Sequence, residues 1–476
     1  MSIPAPSSFP AVVIGGGISG LACAYSLQQA GIPAHVLEAG PRPGGVIATM
    51  EKDGFRLELG PQSFLSTQPL LRLIDSLGLN DQLVHADPKA PRYILSGGRL
   101  IAAPLAPPSL LTTALFGPGT KWRIFTEMLR RTRPPEDDES IASFIRRKFG
   151  DELLDRLVAP FVSGVFAGDP ERLSLRAAFP KLHEFETAHG SVLRGAMKSR
   201  PAKGTPRAGL CSFLDGMETL PQALGARLGD SLLAEATVSA IRRGKPNGKP
   251  WFQIDVARHN HRETIAASAV VIAAPAAAAS QILQGVSGQF PPAFARIEYA
   301  PVAVVAAGYR RDQIERPVNG FGFLVPRGEN LRLLGTVWNS SLFPGRAPEG
   351  LVCFTSFAGG ATDPGLCSLS DAEITETICG EVARVLRISG EPVMTNVHRY
   401  ARALPQYNLG HAQTVAALDA LTSTIPGLFL AGNYLSGPSI GSCVEQAYRT
   451  AKAVRVYLAS IGAANGAAGM GEVGHA

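Results

Sequence analysis

Cysteine is scarce: six residues in 476. Cys23, Cys211, Cys353, Cys367, Cys379 and Cys443 lie far apart and form no CxxC pair, which removes the spacing of a zinc site or a disulfide framework and fits reduced thiols in a cytoplasmic protein. A basic segment followed by an apolar one is missing near Met1, so no secretory signal is expected. Long hydrophobic runs are missing too. The most apolar stretch, Ala266 to Ala279, is alanine-rich, broken by Pro275, and too short to span a bilayer. Neither sign of charge dominates: 45 Lys plus Arg against 39 Asp plus Glu leave +6 with no long basic block. That excludes a dedicated nucleic-acid binder and suits acidic ligands or an anionic membrane face. No internal repeat is found. What is plentiful is apolar side chain, 45% of the chain, enough for about three units of roughly 150 residues.

Ala11 to Ile14 is a continuous apolar run that leads into Gly15-Gly16-Gly17-Ile18-Ser19-Gly20. A helix follows to Ala30 with Leu21, Ala24 and Tyr25 on one face, Gly31 closes it, and Ala34 to Glu38 reads as a second buried strand. This βαβ unit is the context that a dinucleotide fingerprint requires. Gly15 permits the tight turn, Gly17 lets the backbone approach a pyrophosphate, Gly20 lets helix and strand pack, and the helix N-terminus offers N–H groups to phosphate. Glu38, eighteen residues after Gly20, can accept from ribose hydroxyls. A second match, Gly469 to Gly474, has only two residues after it and no room for a helix, so it is discarded.

Glu38 is followed by Gly40-Pro41-Arg42-Pro43-Gly44-Gly45, which resembles the ExxxRxGG extension of the flavin-binding branch that includes amine oxidases, phytoene desaturases and protoporphyrinogen oxidases. Its physical sense is a second backbone approach to phosphates, with Arg42 as a fixed positive charge; the alternative is a solvated surface arginine. Near the other end, Leu428 to Ala431 reads as a strand, then Gly432-Asn433, then Gly437-Pro438-Ser439-Ile440-Gly441-Ser442-Cys443 opens a helix to about Leu458. In that branch the matching helix N-terminus faces the pyrimidine end of the flavin, where reduction places negative charge. No second nucleotide unit lies between Gly45 and Leu428, so the electrons are expected from an organic substrate and an oxidase is the leading class.

Other expected features are a proline-rich stretch from Ala90 to Ser109, and a helix start where Glu136 to Glu139 precede Ile141, Phe144 and Ile145. A loop is expected from Ser199 to Gly209, and strands over Thr237 to Asp255 around a turn at Gly244 to Gly248. Buried strands are expected at Ala269 to Ile272 and Val302 to Val305, and a disordered tail from Ala463 to Ala476.

Four further blocks resemble protoporphyrinogen oxidases of the FAD amine-oxidase superfamily: Glu58-Leu59-Gly60-Pro61-Gln62-Ser63, Ser163-Gly164-Val165-Phe166-Ala167-Gly168-Asp169-Pro170 continuing to Arg176 with Phe179-Pro180, Gly320 to Pro326, and Leu404-Pro405-Gln406-Tyr407-Asn408-Leu409-Gly410-His411. The second and fourth are the specific ones, and the likeness runs in order from about Pro10 to Leu458. It implies an α/β plus α+β chain in three parts. The first is a Rossmann-like FAD-binding domain of the p-hydroxybenzoate-hydroxylase type over residues 1–90, 205–290 and 415–476. The second is a substrate domain with a mixed or antiparallel sheet over 291–414, and the third a helical, membrane-facing lobe over 91–204.

Carried over position by position, FAD contacts fall on Gly15, Gly17, Ile18, Ser19, Gly20, Glu38, Ala39, Arg42, Gly45, Val46, Gly60, Pro61, Gln62 and Ser63. Val238 matches the adenine side, and Asn433, Pro438, Ser439 and Ile440 the flavin side. Arg92 takes the place of the arginine that holds a substrate propionate, and Phe321, Leu324 and Phe357 the apolar positions around the pyrrole rings; composition alone would make these a surface arginine and three core residues. Val46 and Ser442 depart from the family pattern, where some relatives carry a bulky aromatic and an aspartate. Cys443 matches a cysteine that is not flavin-linked, which implies noncovalent FAD.

The implied reaction oxidises a porphyrinogen to a porphyrin in haem biosynthesis, six electrons in three rounds, with molecular oxygen as acceptor and peroxide as product. The substrate is protoporphyrinogen IX, with coproporphyrinogen III as the alternative. No residue is assigned as a catalytic base, and His411 is read as structural. An amine oxidase or carotenoid desaturase, or a flavin-bound scaffold without enzyme activity, are the competing readings. Between Leu100 and Gly150, Leu110, Leu111, Leu115, Phe116, Trp122, Ile124 and Phe125 mix with Lys121, Arg123, Arg130, Arg131 and Arg133. Such a segment suits peripheral membrane association or an ordinary surface helix. Whether the chain is a monomer or a homodimer is left open.

Overall fold

The computed structural model describes residues 8–104, 107–199, 209–244, 251–259 and 261–468. Ala11, Val12, Val13 and Ile14 of the strand Ser8–Ile14 are all buried, as a strand covered on both faces requires. It pairs in parallel with Ala34–Leu37, Val13 opposite Val36, and with His261–Ile272, Val13 opposite Val271. Leu232–Leu233 extends this sheet beyond Ala34–Leu37, and Leu428–Leu430 pairs in parallel with the end of His261–Ile272. At its other end His261–Ile272 continues antiparallel into Trp251–Arg258 and then Thr237–Gly244, so one seven-stranded sheet carries a parallel half and an antiparallel meander.

One face of that sheet is covered by the helices Ile18–Gln29, Thr219–Leu228 and Ile440–Ala468, which bury Leu21, Tyr25, Leu224, Val444, Ala447 and Ala451 in a single core. The other face carries Val12, Ile14, Ile254 and Ile272 beneath Ala276–Leu283, Phe290–Phe294 and His411–Ser423. The chain thus sandwiches a sheet between helices, the arrangement that buries both of its apolar faces.

A second seven-stranded sheet runs in the order Met394–Pro405, Tyr299–Arg310, Leu351–Gly359, Leu333–Val337, Gly322–Leu324, Arg92–Ser96, Arg99–Ala102. It is antiparallel except where Gly322–Leu324 pairs in parallel with Arg92–Ser96. The helix Asp371–Leu386 covers one face with Ile374, Ile378 and Val382, and starts on a capping box between Ser370 and Glu373. Residues 92–102, placed by the sequence reading within the helical stretch, therefore form a hairpin of this sheet.

The helices Pro118–Glu127, Ile141–Lys148, Ala159–Phe166, Pro180–His189 and Val192–Lys198 pack around Leu115, Phe116, Ile124, Phe144, Ile145, Val162 and Phe166. The expected start near Ile141 is found, with Ser140 accepting from Ser143 N as its cap. Inside this bundle Lys148 Nζ stands 2.9 Å from Glu186 Oε1 and 3.4 Å from Glu127 Oε1, and Arg147 binds both Glu139 and Glu186. Burial alone would raise the Glu186 carboxyl, but donors from Arg147, Thr132 and Lys148 outweigh it and hold the group at about 2.

The expected strands at 269–272 and 302–305 lie within His261–Ile272 and Tyr299–Arg310. The final helix is longer than expected and is described to Ala468. Residues 200–208 of the expected loop, 245–248 of the expected turn and the discarded motif at 469–474 lie outside the described residues.

Candidate active site

Gly15 sits at φ 111° and donates its N–H to Leu37 O at 2.8 Å; a side chain there would stand 2.7 Å from Ala273 O, a backbone atom that cannot give way. Beside Gly17 the space is open, with nothing within 4 Å of where a Cβ would lie. Gly17 also caps the helix Ile18–Gln29 without any side-chain bond, so the first N–H groups of that helix face the opening. Uncapped donors and an open cradle fit a dinucleotide phosphate.

Glu38 ends the second strand, and its carboxylate is braced by backbone donors: Gly16 N at 2.6 Å on Oε2 and Gly40 N at 2.7 Å on Oε1. Each oxygen keeps a lone pair for a ribose hydroxyl. Ala236 N donates to Glu38 O at 2.8 Å and Glu235 N to Gly40 O at 3.0 Å, which carries the segment leading to Val238 alongside Glu38 and Ala39. The second glycine pair folds onto the first, Gly44 N donating to Gly16 O at 2.8 Å.

Arg42 does something other than present a free charge. Its guanidinium donates to the carbonyls of Pro43, Gly45 and Ile47 and lies 3.4 Å from Glu218 Oε1. It therefore ties the Gly44-Gly45-Val46 loop into shape. Tyr400, from Met394–Pro405, reaches across to the same loop, its hydroxyl 3.4 Å from Val46 O.

Of Gly60-Pro61-Gln62-Ser63, only Gln62 is buried, and it acts as a brace: Nε2 donates to Glu58 O at 3.0 Å and Gly60 O at 2.8 Å, and Oε1 accepts from Asn339 Nδ2 at 2.6 Å. Beneath it Glu58 is fully buried against Arg346, 3.3 Å away, with Thr49 Oγ1 and Met217 N donating to it. Burial wins over those donors and pushes the Glu58 carboxyl up to about 7.

At the far end of the chain Gly432 N donates to Gln446 Oε1 at 3.1 Å, and Ser439 caps the helix Ile440–Ala468 by accepting from Ser442 N at 3.1 Å. Cys443 is buried beneath this cap against Ser19 of the first helix, and burial raises its thiol above the usual range. Gly441 closes on Thr67, just beyond Ser63. Ser19 on Cys443 and Thr67 against Gly441 thus bring the Gly15–Gly20 helix start and the segment after Ser63 to the start of the helix Ile440–Ala468, hundreds of residues further along the chain.

The four candidate substrate residues lie on the second sheet in two contacts. Arg92 is exposed and its guanidinium lies 5.2 Å from the ring centre of Phe321. Phe357 stands opposite Gly335, and Leu324 Cδ2 is 3.0 Å from where a Cβ on Gly335 would lie. Phe321 and Phe357 share an apolar cluster with Val337, Leu342 and Phe343. Leu324 in turn closes on Gly164 of the helix Ala159–Phe166.

The two specific blocks bind each other. Ser174 N donates to Tyr407 O, Leu409 N to Arg172 O, and Gln406 Nε2 to Phe166 O. His411 is buried, and burial lowers its imidazole to about 4, so it is neutral near pH 7. Glu58, Glu218, Asn339, Tyr400 and Tyr407 are the site residues that sequence reasoning missed. Tyr407 and Glu58 carried a signal, their places inside quoted blocks; Glu218, Asn339 and Tyr400 are brought in from distant strands and helix starts.

A family model for flavin containing amine oxidoreductases matches residues 18–455. The chain belongs to that family. It is 36% identical over 475 residues to a protein named "Protoporphyrinogen oxidase 1, chloroplastic" of Arabidopsis thaliana, covering 94% of this chain and 88% of that one. It is 30% identical over 475 residues to one named "Coproporphyrinogen III oxidase" of Bacillus subtilis (strain 168), covering 94% and 98%. A crystal structure from Exiguobacterium sp. 255-15, provisionally named a protoporphyrinogen oxidase, superposes with a TM-score of 0.79 at 25% identity over 95% of this chain and 100% of that one. The two sheets and their helices are the flavin amine-oxidase-type fold.

Proposed function

We propose that the chain is an FAD-dependent oxidase that converts protoporphyrinogen IX to protoporphyrin IX in haem biosynthesis, passing six electrons in three rounds to oxygen. The observation that carries this reading is that Tyr400, its hydroxyl 3.4 Å from Val46 O of the glycine loop, shares an apolar cluster with Phe357 of the wall that Arg92 edges over Phe321. Coproporphyrinogen III is the second reading, favoured by the name of the Bacillus subtilis relative.

In this reading the N–H groups at Gly17, Ile18 and Ser19 hold the FAD phosphates, Glu38 the ribose, and Val238 the adenine side. Gly45, Val46, Gly60, Pro61, Ser63, Asn433, Pro438, Ser439 and Ile440 enclose the remainder, and Arg42 and Gln62 brace the loops that do so. Bound FAD supplies the two-electron acceptor. The protein's own residues bind, orient and dry the substrate: Arg92 takes a propionate by paired N–H bonds, and Phe321, Leu324 and Phe357 exclude water from the macrocycle. The buried, protonated Cys443 thiol supports noncovalent FAD. The FAD-binding and substrate-binding parts divide the work accordingly, with the hairpin at 92–102 joining the substrate-binding sheet. The test is to purify the protein, record its flavin spectrum, and assay both porphyrinogens for fluorescent porphyrin with peroxide release. Flavin that neither porphyrinogen reduces would overturn the proposal.

We also propose cytoplasmic location with peripheral membrane contact. Supporting it, Leu115, Phe116 and Ile124 turn inward while Trp122, Phe125 and Leu129 stay outside at 64%, 52% and 73% exposure. Arg123, Arg130, Arg131 and Arg133 are exposed around them. No helix among the described residues is long and apolar enough to cross a membrane. Liposomes with anionic lipids should carry the protein on flotation in low salt, and a protein left at the bottom would remove this part.

A further inference from the structure

The blocks that distinguish this sequence, residues 163–176 and 404–411, reach the substrate wall through Gly164 beside Leu324 and through Ala167 and Leu404 in the cluster of Phe357, and they are also bonded to each other and to the turn ahead of the final helix. Gln406 Nε2 holds Phe166 O at 2.9 Å at the end of the helix Ala159–Phe166. The neighbouring Tyr407 is buried, its ring edge-on to Phe166 at 5.9 Å and to His411 at 4.6 Å, and its backbone oxygen accepts from Ser174 N. With its ring fixed on both sides, its hydroxyl donates to Asn433 O. Asn433 lies in a turn bounded by Gly432 at φ 149° and Gly437 at φ 138°, two residues that put few limits on backbone direction. The turn therefore takes its orientation from side chains: its own Tyr434, buried edge-on against Phe294, Gln446 at Gly432 N, and Tyr407 at Asn433 O.

We propose that Tyr407 is a positioning residue that fixes the Asn433 turn against FAD and joins it, through Gln406 and Phe166, to the helix on which the substrate wall closes. This rests on the reading that Asn433 to Ile440 faces the flavin. A half-buried carbonyl that loses its donor is left poorly satisfied, and the turn relaxes toward other partners.

The test is Tyr407→Phe, which keeps the ring and its packing and removes only the hydroxyl. Its control is Tyr309→Phe, which removes an equally buried hydroxyl on the far side of the second sheet, beside Cys379. Three quantities are measured on each purified holoenzyme: FAD release on dilution by flavin fluorescence, the visible flavin spectrum, and the melting temperature. Tyr407→Phe should bind FAD about tenfold more weakly and shift the spectrum, while Tyr309→Phe matches wild type in both. If both variants melt lower and both hold FAD with an unchanged spectrum, Tyr407 only packs and the proposal is overturned. Wild-type protein that binds no FAD would instead overturn the reading beneath it, and the proposal with it.

Discussion

Gly164 offers a direct test of the substrate wall. It lies on the helix Ala159–Phe166, and a Cβ added there would stand 2.6 Å from Leu324 Cδ2. Ordinary contact begins at 3.4 Å, so Leu324 must withdraw by about 0.8 Å or change rotamer. A side chain forced off its rotamer costs about 0.5–1.5 kcal/mol, and alanine is better than glycine within a helix by roughly 0.5–1 kcal/mol. The two terms nearly cancel in stability, so Gly164→Ala should fold and melt within a few degrees of wild type. They do not cancel in substrate binding, because the displaced Leu324 narrows the wall beside Phe357. We expect kcat/KM for the porphyrinogen to fall about 3- to 10-fold, mostly through KM, with FAD content unchanged. Initial rates of porphyrin fluorescence against substrate concentration measure this. Adding Leu324→Ala should relieve the clash and recover part of the loss. A Gly164→Ala enzyme with kcat/KM within twofold of wild type would refute the placement of the substrate against this helix.

Arg92→Ala should weaken a propionate-bearing substrate about 10- to 100-fold without changing flavin content, since it removes a charge-assisted pair from an exposed position; unchanged apparent affinity would refute the assignment. Glu58 has a folded value of about 7 against an ordinary 4.5, so the folded state binds its proton more tightly. Stability should therefore fall between pH 4.5 and 7, by up to about 3 kcal/mol, and urea melts of Glu58→Gln should lack that decline. Glu186 is the opposite case, held at about 2, so its contribution is present above the ordinary value of 4.5 and is lost as pH falls toward 2. Hydrogen exchange at pH 3 should accordingly open the helices between 118 and 198 before the strand Ser8–Ile14.

The half of the site built on Gly15–Gly20 was legible because its signal is local: a buried run, three glycines and a helix within twenty residues. The strand, turn and helix from Leu428 onward were legible for the same reason. Of the second sheet, the strand at 302–305 was legible and the resemblance implied a mixed or antiparallel sheet, but its edge was not, because Gly322–Leu324 is a three-residue strand whose parallel partner is Arg92–Ser96, far away in sequence. The hairpin at 92–102 did have a signal, Gly97-Gly98 with φ of 56° and 72°, the mirror-image turn that suits twisted strands; the surrounding prolines obscured it. Arg42 shows a different limit. Its position in a glycine loop suggested phosphate charge, but which of its donors face ligand and which face carbonyl oxygens depends on how Pro43 to Ile47 curl around it. Glu58, Asn339 and Tyr400 gather only when two sheets meet, and no spacing in the chain encodes that meeting.

Anaerobic mixing of the purified protein with protoporphyrinogen IX, and separately with coproporphyrinogen III, tests the central claim most directly. The account predicts a yellow protein whose visible flavin band bleaches as porphyrin fluorescence appears, and whose colour returns on admitting air. Protein that comes out colourless and takes up no added FAD would contradict it.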